Sequence, residues 1–231
     1  MIGWRGEAFF GEGWFAFRGA AADNEPHAHA ALQLVASVEG KISIEGPDCN
    51  VVSAQGLLVA PERRHRLLPS GALTLVLIEP DHAVAPALKD GIESKAIVSL
   101  TEQQVAHLTR DCALSELLDD VVQNVPVREI DARLEAALSL LGPEAERLRN
   151  LAGAVGLSDV RLRSLARQEL GVPMSKLSAL KKVIKAAEAI AEGASLSEAA
   201  VEAGFADQAH LTRTFKQVIG LTPGQAARPL R

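Results

Sequence analysis

The sequence predicts an α+β protein of two domains, β-rich in its N-terminal part and all-α in its C-terminal part. Three observations predict it. Short apolar runs of strand length, separated by turn residues, fill the first eighty or so positions. Beyond residue 100 the apolar residues recur at helical spacing, with Gly and Pro at the stops. The charge also changes sign along the chain. Residues 143–231 hold 13 Lys+Arg against 9 Asp+Glu, whereas residues 1–142 hold 11 against 20. A basic tail on an acidic body points to two different tasks. No apolar run approaches a membrane span and no charged-then-apolar leader opens the chain, so a soluble, cytoplasmic protein with no membrane contact is expected. Cys49 and Cys112 lie far apart without metal spacing and read as reduced thiols.

The N-terminal unit, residues 1–83, begins with Trp4, Phe9, Phe10, Trp14, Phe15 and Phe17 among glycines, a composition for short strands and turns packed on a core. Strand-like runs follow at 32–38, 41–44, 50–53, 57–59 and 73–78. Gly46-Pro47-Asp48 and Pro69-Ser70-Gly71 read as turns between them. On a strand, His27, His29 and Gln33 fall on one face, and His65 arrives from a later segment. Three imidazoles with an open position suit a divalent metal such as zinc, iron or nickel, although the neutral amide of Gln33 is a weak ligand. The other reading of the same four residues is a pocket that hydrogen-bonds an organic effector. His82 and His107 read as surface or packing residues.

Residues 84–142 form a helical connector. Thr101 begins one helical run with Val105 and Leu108 inward. Leu114, Leu117, Leu118, Val121 and Val122 share a second face, and Ile130, Leu134, Ala137, Leu138 and Leu141 a third, stopped by Gly142-Pro143.

Residues 143–231 hold the same pattern twice, about 48 residues apart. In the first copy a helix from Arg147 to Ala154 meets a turn at Gly156. Ser158 then caps a helix that ends at Gly171. Its inner face is Leu162, Leu165, Ala166 and Leu170. Its outer face is Val160, Arg163, Ser164 and Arg167. Positions 173–192 read as one long helix with Lys181, Lys182 and Lys185 beside its apolar stripe. In the second copy Ser195 or Ser197 caps a short helix, Gly204 turns the chain, and Asp207 caps a helix closed by Gly220. Leu211, Phe215, Val218 and Ile219 make its inner face. Gln208, Ala209, His210, Thr212, Arg213 and Lys216 make the outer one, with side chains of the kinds that read base edges and hold phosphates.

The run Ala200, Gly204-Phe205, Asp207-Gln208, His210, Arg213, Phe215-Lys216, Gly220 and Pro223 resembles the C-terminal signature of the AraC/XylS transcription regulators. Leu211 stands for the usual aromatic, Ala226-Ala227 for a common Tyr-Arg pair, and Ala166 for an aromatic in the first copy. The segments from Pro26 and from Gly56 resemble the two motifs of the cupin barrel, with Gln33 where metal-binding cupins have Glu. The resemblance implies a cupin-like N-terminal barrel that senses an effector, connecting helices that form a homodimer contact, and a tandem helix-turn-helix domain at 143–231. It implies double-stranded DNA as partner, a small-molecule effector, and RNA polymerase as a further partner. The expected function is therefore sequence-specific regulation of transcription, not enzymatic, with no required cofactor. Ser158, Val160, Arg163, Ser164, Arg167, Lys181, Gln208, Ala209, His210, Thr212, Arg213 and Lys216 are the expected DNA contacts. The alternative is a metal-dependent cupin enzyme with a helical appendage.

Overall fold

The computed structural model describes residues 4–90, 92, 95–118, 129–141 and 148–226. The strands form two antiparallel sheets. The larger has the order β1 (Arg5–Gly11), β2 (Trp14–Ala21), β8 (Ser70–Ile78), β3 (Leu32–Ser37), β6 (Gly56–Val59), β9 (Ile97–Ser99). The smaller has the order β5 (Val51–Ala54), β4 (Ile42–Glu45), β7 (Arg66–Leu67). Strand β8 shows how the larger sheet is used. Leu73, Leu75 and Leu77 face one core, while Val76 and Ile78 face another. Burial on both faces explains why these strands read as continuous apolar runs, without polar alternation.

The second face of the large sheet is covered by the connector. It comprises α1 (Ala85–Asp90), α2 (Glu102–Leu108) and the 3₁₀ turn Leu114–Glu116. Val105, Leu108, Leu114, Leu117 and Leu118 pack there against Leu32, Leu34 and Leu58. Thr101 caps α2 in a capping box with Gln104, as its position predicts. The first face looks the other way, into a core that continues without a break into the C-terminal helices. Those are α3 (Ala132–Ser139), α4 (Leu148–Ala154), α5 (Asp159–Leu170), α6 (Met174–Ala191), α7 (Leu196–Glu202), α8 (Gln208–Ile219) and α9 (Pro223–Ala226). Phe17, Val35, Leu75 and Leu77 share this core with Leu177, Leu180, Val183 and Phe215.

Three expectations need correction. The sheets do not close into a barrel: β1 and β9 end the large sheet, and among the described residues no strand pairing joins it to the small one. The apolar face between the sheets is shared: Ile42, Ile44 and Leu67 of the small sheet cover part of it, and α6 and α8 cover the rest. Ser70 and Gly71 are not turn residues but the start of β8. His27 and His29 do not lie on β3, which begins at Leu32; His27 forms an isolated antiparallel bridge with His65. The expected roles of Val121, Val122, Gly142-Pro143, Arg147 and Ala227 fall outside the described residues.

Candidate functional site

The C-terminal helices repeat one local construction. Ala152 and Ala200 each accept a hydrogen bond from the N–H five residues on, Leu157 at 2.8 Å and Phe205 at 2.8 Å. Gly156 (φ 68) and Gly204 (φ 72) make the turns in the left-handed region that these bonds require. Ser158 accepts from the Arg161 N–H at 3.2 Å, and Asp207 from the His210 N–H at 2.6 Å. Such caps contribute about 1 kcal/mol each. Gly171 (φ 77) and Gly220 (φ 76) close α5 and α8 with the same left-handed geometry.

The outer faces of both helices are open. Ser158, Val160, Arg163, Ser164 and Arg167 on α5 are exposed, Val160 at 76%. Gln208, Ala209, His210, Arg213 and Lys216 on α8 are exposed, and Thr212 is half-exposed with its hydroxyl donating to the Gln208 carbonyl. Two of these side chains also work inside the motif. The Ser197 hydroxyl donates to Gln208 Oε1 at 3.0 Å, which ties α7 to α8. The His210 ring stands edge-on to Phe205, 5.2 Å between centroids. Lys182 caps the turn between them, its Nζ donating to the Gly204 carbonyl at 2.7 Å.

Lys181 does not belong to this surface, contrary to the expected phosphate contact. Its ammonium is held between Glu79 and Asp81 of the β-rich domain, 2.9 Å from Asp81. Burial alone lowers the Lys181 pKa, but the pull of Asp81 and Glu79 outweighs it and the net shift is upward. Burial pushes the Glu79 carboxyl up against the opposing pull of Lys181. We take the pair as charged, because a lysine with two carboxylates at contact distance keeps its proton. A second junction lies at the end of α8. Lys216 pairs with Glu25 at 2.8 Å, and the Glu25 N–H donates to the Gly220 carbonyl at 2.9 Å. A Cβ at Gly220 would collide with the Glu25 carbonyl and stand 2.6 Å from His27 Nδ1.

His27, His29 and His65 are buried together, their candidate ligand atoms within 4.8 Å of one another. Each Nδ1 lies on a backbone carbonyl: His27 on Glu25 at 2.9 Å, His29 on Ala31 at 3.1 Å, His65 on Arg63 at 2.8 Å. A carbonyl only accepts, so each Nδ1 carries the hydrogen and each Nε2 keeps a lone pair. Gln33 Oε1 stands 3.2 Å from Nε2 of both His29 and His65. This second-coordination pattern is the one that orients metal-binding imidazoles. Burial is the largest influence on all three rings, pushing His29 and His65 down and His27 down to about 3.

That depression has a pH consequence. The unfolded chain takes up protons below 6.5 that the folded chain refuses, so stability is full above that point and falls as the medium is acidified. Each ring held neutral removes about 1.4 kcal/mol per pH unit in that window. Urea midpoints measured from about pH 7 to about pH 5 should therefore fall steeply. His27→Gln should flatten the slope.

Next to the trio lies a chamber of about 100 Å³ shared by both domains. Trp4, Phe15 and Phe17 form one wall and Ile184, Phe215 and Ile219 the other, with Asn24, His27, His29 and Gln33 as its polar residues. Sequence reading found the histidines and Gln33 but not Trp4, Asn24, Glu25, Glu79 or Asp81. Their roles rest on contacts across the chain, with no local spacing to reveal them.

Two capped helix-turn-helix units hung from one helix, each with an open polar and basic face, define a tandem helix-turn-helix DNA-binding module. Residues 151–228 match the helix-turn-helix domain family, and this part of the chain is a helix-turn-helix domain of the AraC/XylS type. No curated protein is significantly similar to the chain in sequence. Among solved structures, apo ToxT of Vibrio cholerae strain SCE256 has a TM-score of 0.63 at 12% identity, covering 96% of this chain and 99% of that one. Wild-type ToxT of the same strain with an unsaturated fatty acid bound has a TM-score of 0.58 at 11% identity, covering 98% and 94%. These two share the two-domain fold. An AraC-type regulator of Chromobacterium violaceum aligns over 42% of this chain and 91% of its own, at 24% identity and a TM-score of 0.40. No helix among the described residues is long and apolar enough to cross a membrane.

Proposed function

We propose that this chain is a sequence-specific transcription regulator whose hold on double-stranded DNA is set by a ligand at the seam between its two domains. The observation that carries the reading is the placement of Arg163 and Arg213. They stand exposed on two helices with matching caps, joined by the single linker helix α6. Two such helices enter successive major grooves, about 34 Å apart on one side of the duplex. Arg163 and Arg213 then make bidentate contacts to guanine and Gln208 reads adenine. Val160 and Ala209 pack on thymine methyls, while Ser158, Ser164, Arg167, His210, Thr212 and Lys216 complete the contact faces, largely toward phosphate.

A selection from random duplexes, followed by mobility shift, tests this. Arg213→Ala should lose about 1–3 kcal/mol of discrimination at one base position. Lys216→Ala should weaken all duplexes evenly and flatten the salt dependence. Equal losses on every sequence in both variants would remove the base-reading role.

Support for ligand control comes from the chamber, whose walls belong to both domains. ToxT has been solved with an unsaturated fatty acid and with a naphthyl-butenoic acid bound. A regulator that acts through paired operator sites acts as a homodimer. That expectation rests on the twofold symmetry of such sites, because the described connector helices spend their apolar faces on the sheet. RNA polymerase is the partner such a regulator would address.

The histidine trio supports a second element, a divalent metal on His27, His29 and His65 with Gln33 as a weak fourth ligand. The 3.2 Å spacings from Gln33 Oε1 to two Nε2 atoms are close to the edge of a four-coordinate site, about 3.3 Å. A metal here would order the sensor, and it is also what the enzyme alternative requires. Titration of the metal-free protein with Co²⁺ should give visible d–d absorption at one equivalent, lost in His29→Ala. Gln33→Glu should tighten binding by supplying a charged oxygen.

A further inference from the structure

We infer that the chamber between the domains takes a small uncharged molecule, one ring or a short branched chain in size, with a single head group that both donates and accepts hydrogen bonds. This rests on the ligand-controlled reading above and specifies the ligand.

Three observations lead there. First, two side-chain polar atoms on chamber-lining residues are buried without a partner: Trp4 Nε1 and Asn24 Oδ1. A buried polar atom without a partner costs about 1–3 kcal/mol, and a native fold leaves few of them. The first is a donor and the second an acceptor. A hydroxyl or an amide on the ligand answers both kinds, whereas a hydrocarbon answers neither.

Second, no Lys, Arg, Asp or Glu is among the described residues that line the chamber. The histidines there are buried and bonded through Nδ1 to carbonyls. A carboxylate in this space would lose its hydration and gain no counter-charge, which costs far more than the pairing of a neutral head returns. The chamber thus differs in its chemistry from what an ionised acid needs.

Third, the volume of about 100 Å³ is of the order of the ~150 Å³ apolar cavity that takes up benzene in another protein. One ring fits when the seam widens slightly. Since Ile184, Phe215 and Ile219 form one wall and β-domain residues the other, occupancy favours the docked arrangement of the two halves.

The test uses the full chain without DNA and three probes of similar size: phenol, toluene and benzoate. Calorimetry or thermal shift should rank phenol first, toluene next and benzoate last. Each hydrogen bond answered is worth roughly 2- to 10-fold in affinity. Trp4→Phe removes a donor and keeps the ring, so it should shrink the preference for phenol by a similar factor while toluene still binds. Retained toluene binding also shows that the variant folds. Benzoate binding tightest, phenol and toluene binding equally, no probe binding, or an unchanged preference in Trp4→Phe would each overturn the assignment. None of these readouts involves a duplex, so failure of the DNA-binding reading would appear separately, in the mobility shift.

Discussion

Replacing Lys181 with methionine should destabilise the protein by about 3 kcal/mol, read as a lower urea midpoint. The substitution keeps the length and the apolar stem but leaves Glu79 and Asp81 without their cation. Glu79 is 5% exposed, and removing one partner of a buried ion pair costs about 3–5 kcal/mol. The lower end applies because the Lys181 side chain keeps 29% of its surface in solvent. The same variant separates two roles for this lysine. A phosphate contact would take one unit from the salt slope of DNA binding when lost. A clasp between α6 and the β-rich domain leaves that slope unchanged. Glu79→Gln with Asp81→Asn in the Lys181→Met background should restore much of the midpoint, since the buried charges go with their partner.

Gly220→Val should destabilise the whole protein by straining the junction between its two halves, read as a lower urea midpoint. The φ of 76 at this position costs an ordinary residue about 1–2 kcal/mol, and more for a β-branched one. The added side chain also runs into the Glu25 carbonyl and the His27 ring. The capped turn of α8 and its contacts to α6 and α7 remain. Because one core runs through both halves, the expected result is a single unfolding transition at lower urea, with Gly220→Ala less affected than Gly220→Val. An unchanged midpoint would mean that the junction at Glu25 contributes nothing to stability.

The DNA-reading half was legible in the sequence because its signals are local. Ser158, Asp207, Gly171 and Gly220 announce helix ends within a turn of where they act. The inner faces at Leu162, Leu165 and Ala166, and at Leu211, Phe215 and Val218, follow directly from spacing. The β-rich half was legible only as a set of strands. Which strand pairs with which, and whether the set closes, depends on what else can cover an apolar face. Here α6 and α8 cover part of it, from far along the chain. The same distance hid the partners of Lys181: its spacing on the helix fits a solvated strip, and nothing local to it tells of Glu79. The histidine trio was found for a partly different reason than the structure gives. Alternation along one strand suggested it, whereas a bridge between His27 and His65 and a bend before β3 assemble it.

The shared wall has a practical outcome for anyone dissecting the protein. Cutting the chain near residue 142 would strand Val183, Ile184, Phe215 and Ile219 on one fragment and Phe17, Leu75 and Leu77 on the other, each a greasy patch facing water. Neither fragment would then be a faithful miniature of its half, and both would tend to stick to themselves. Dissection is better done by point substitution in the intact molecule.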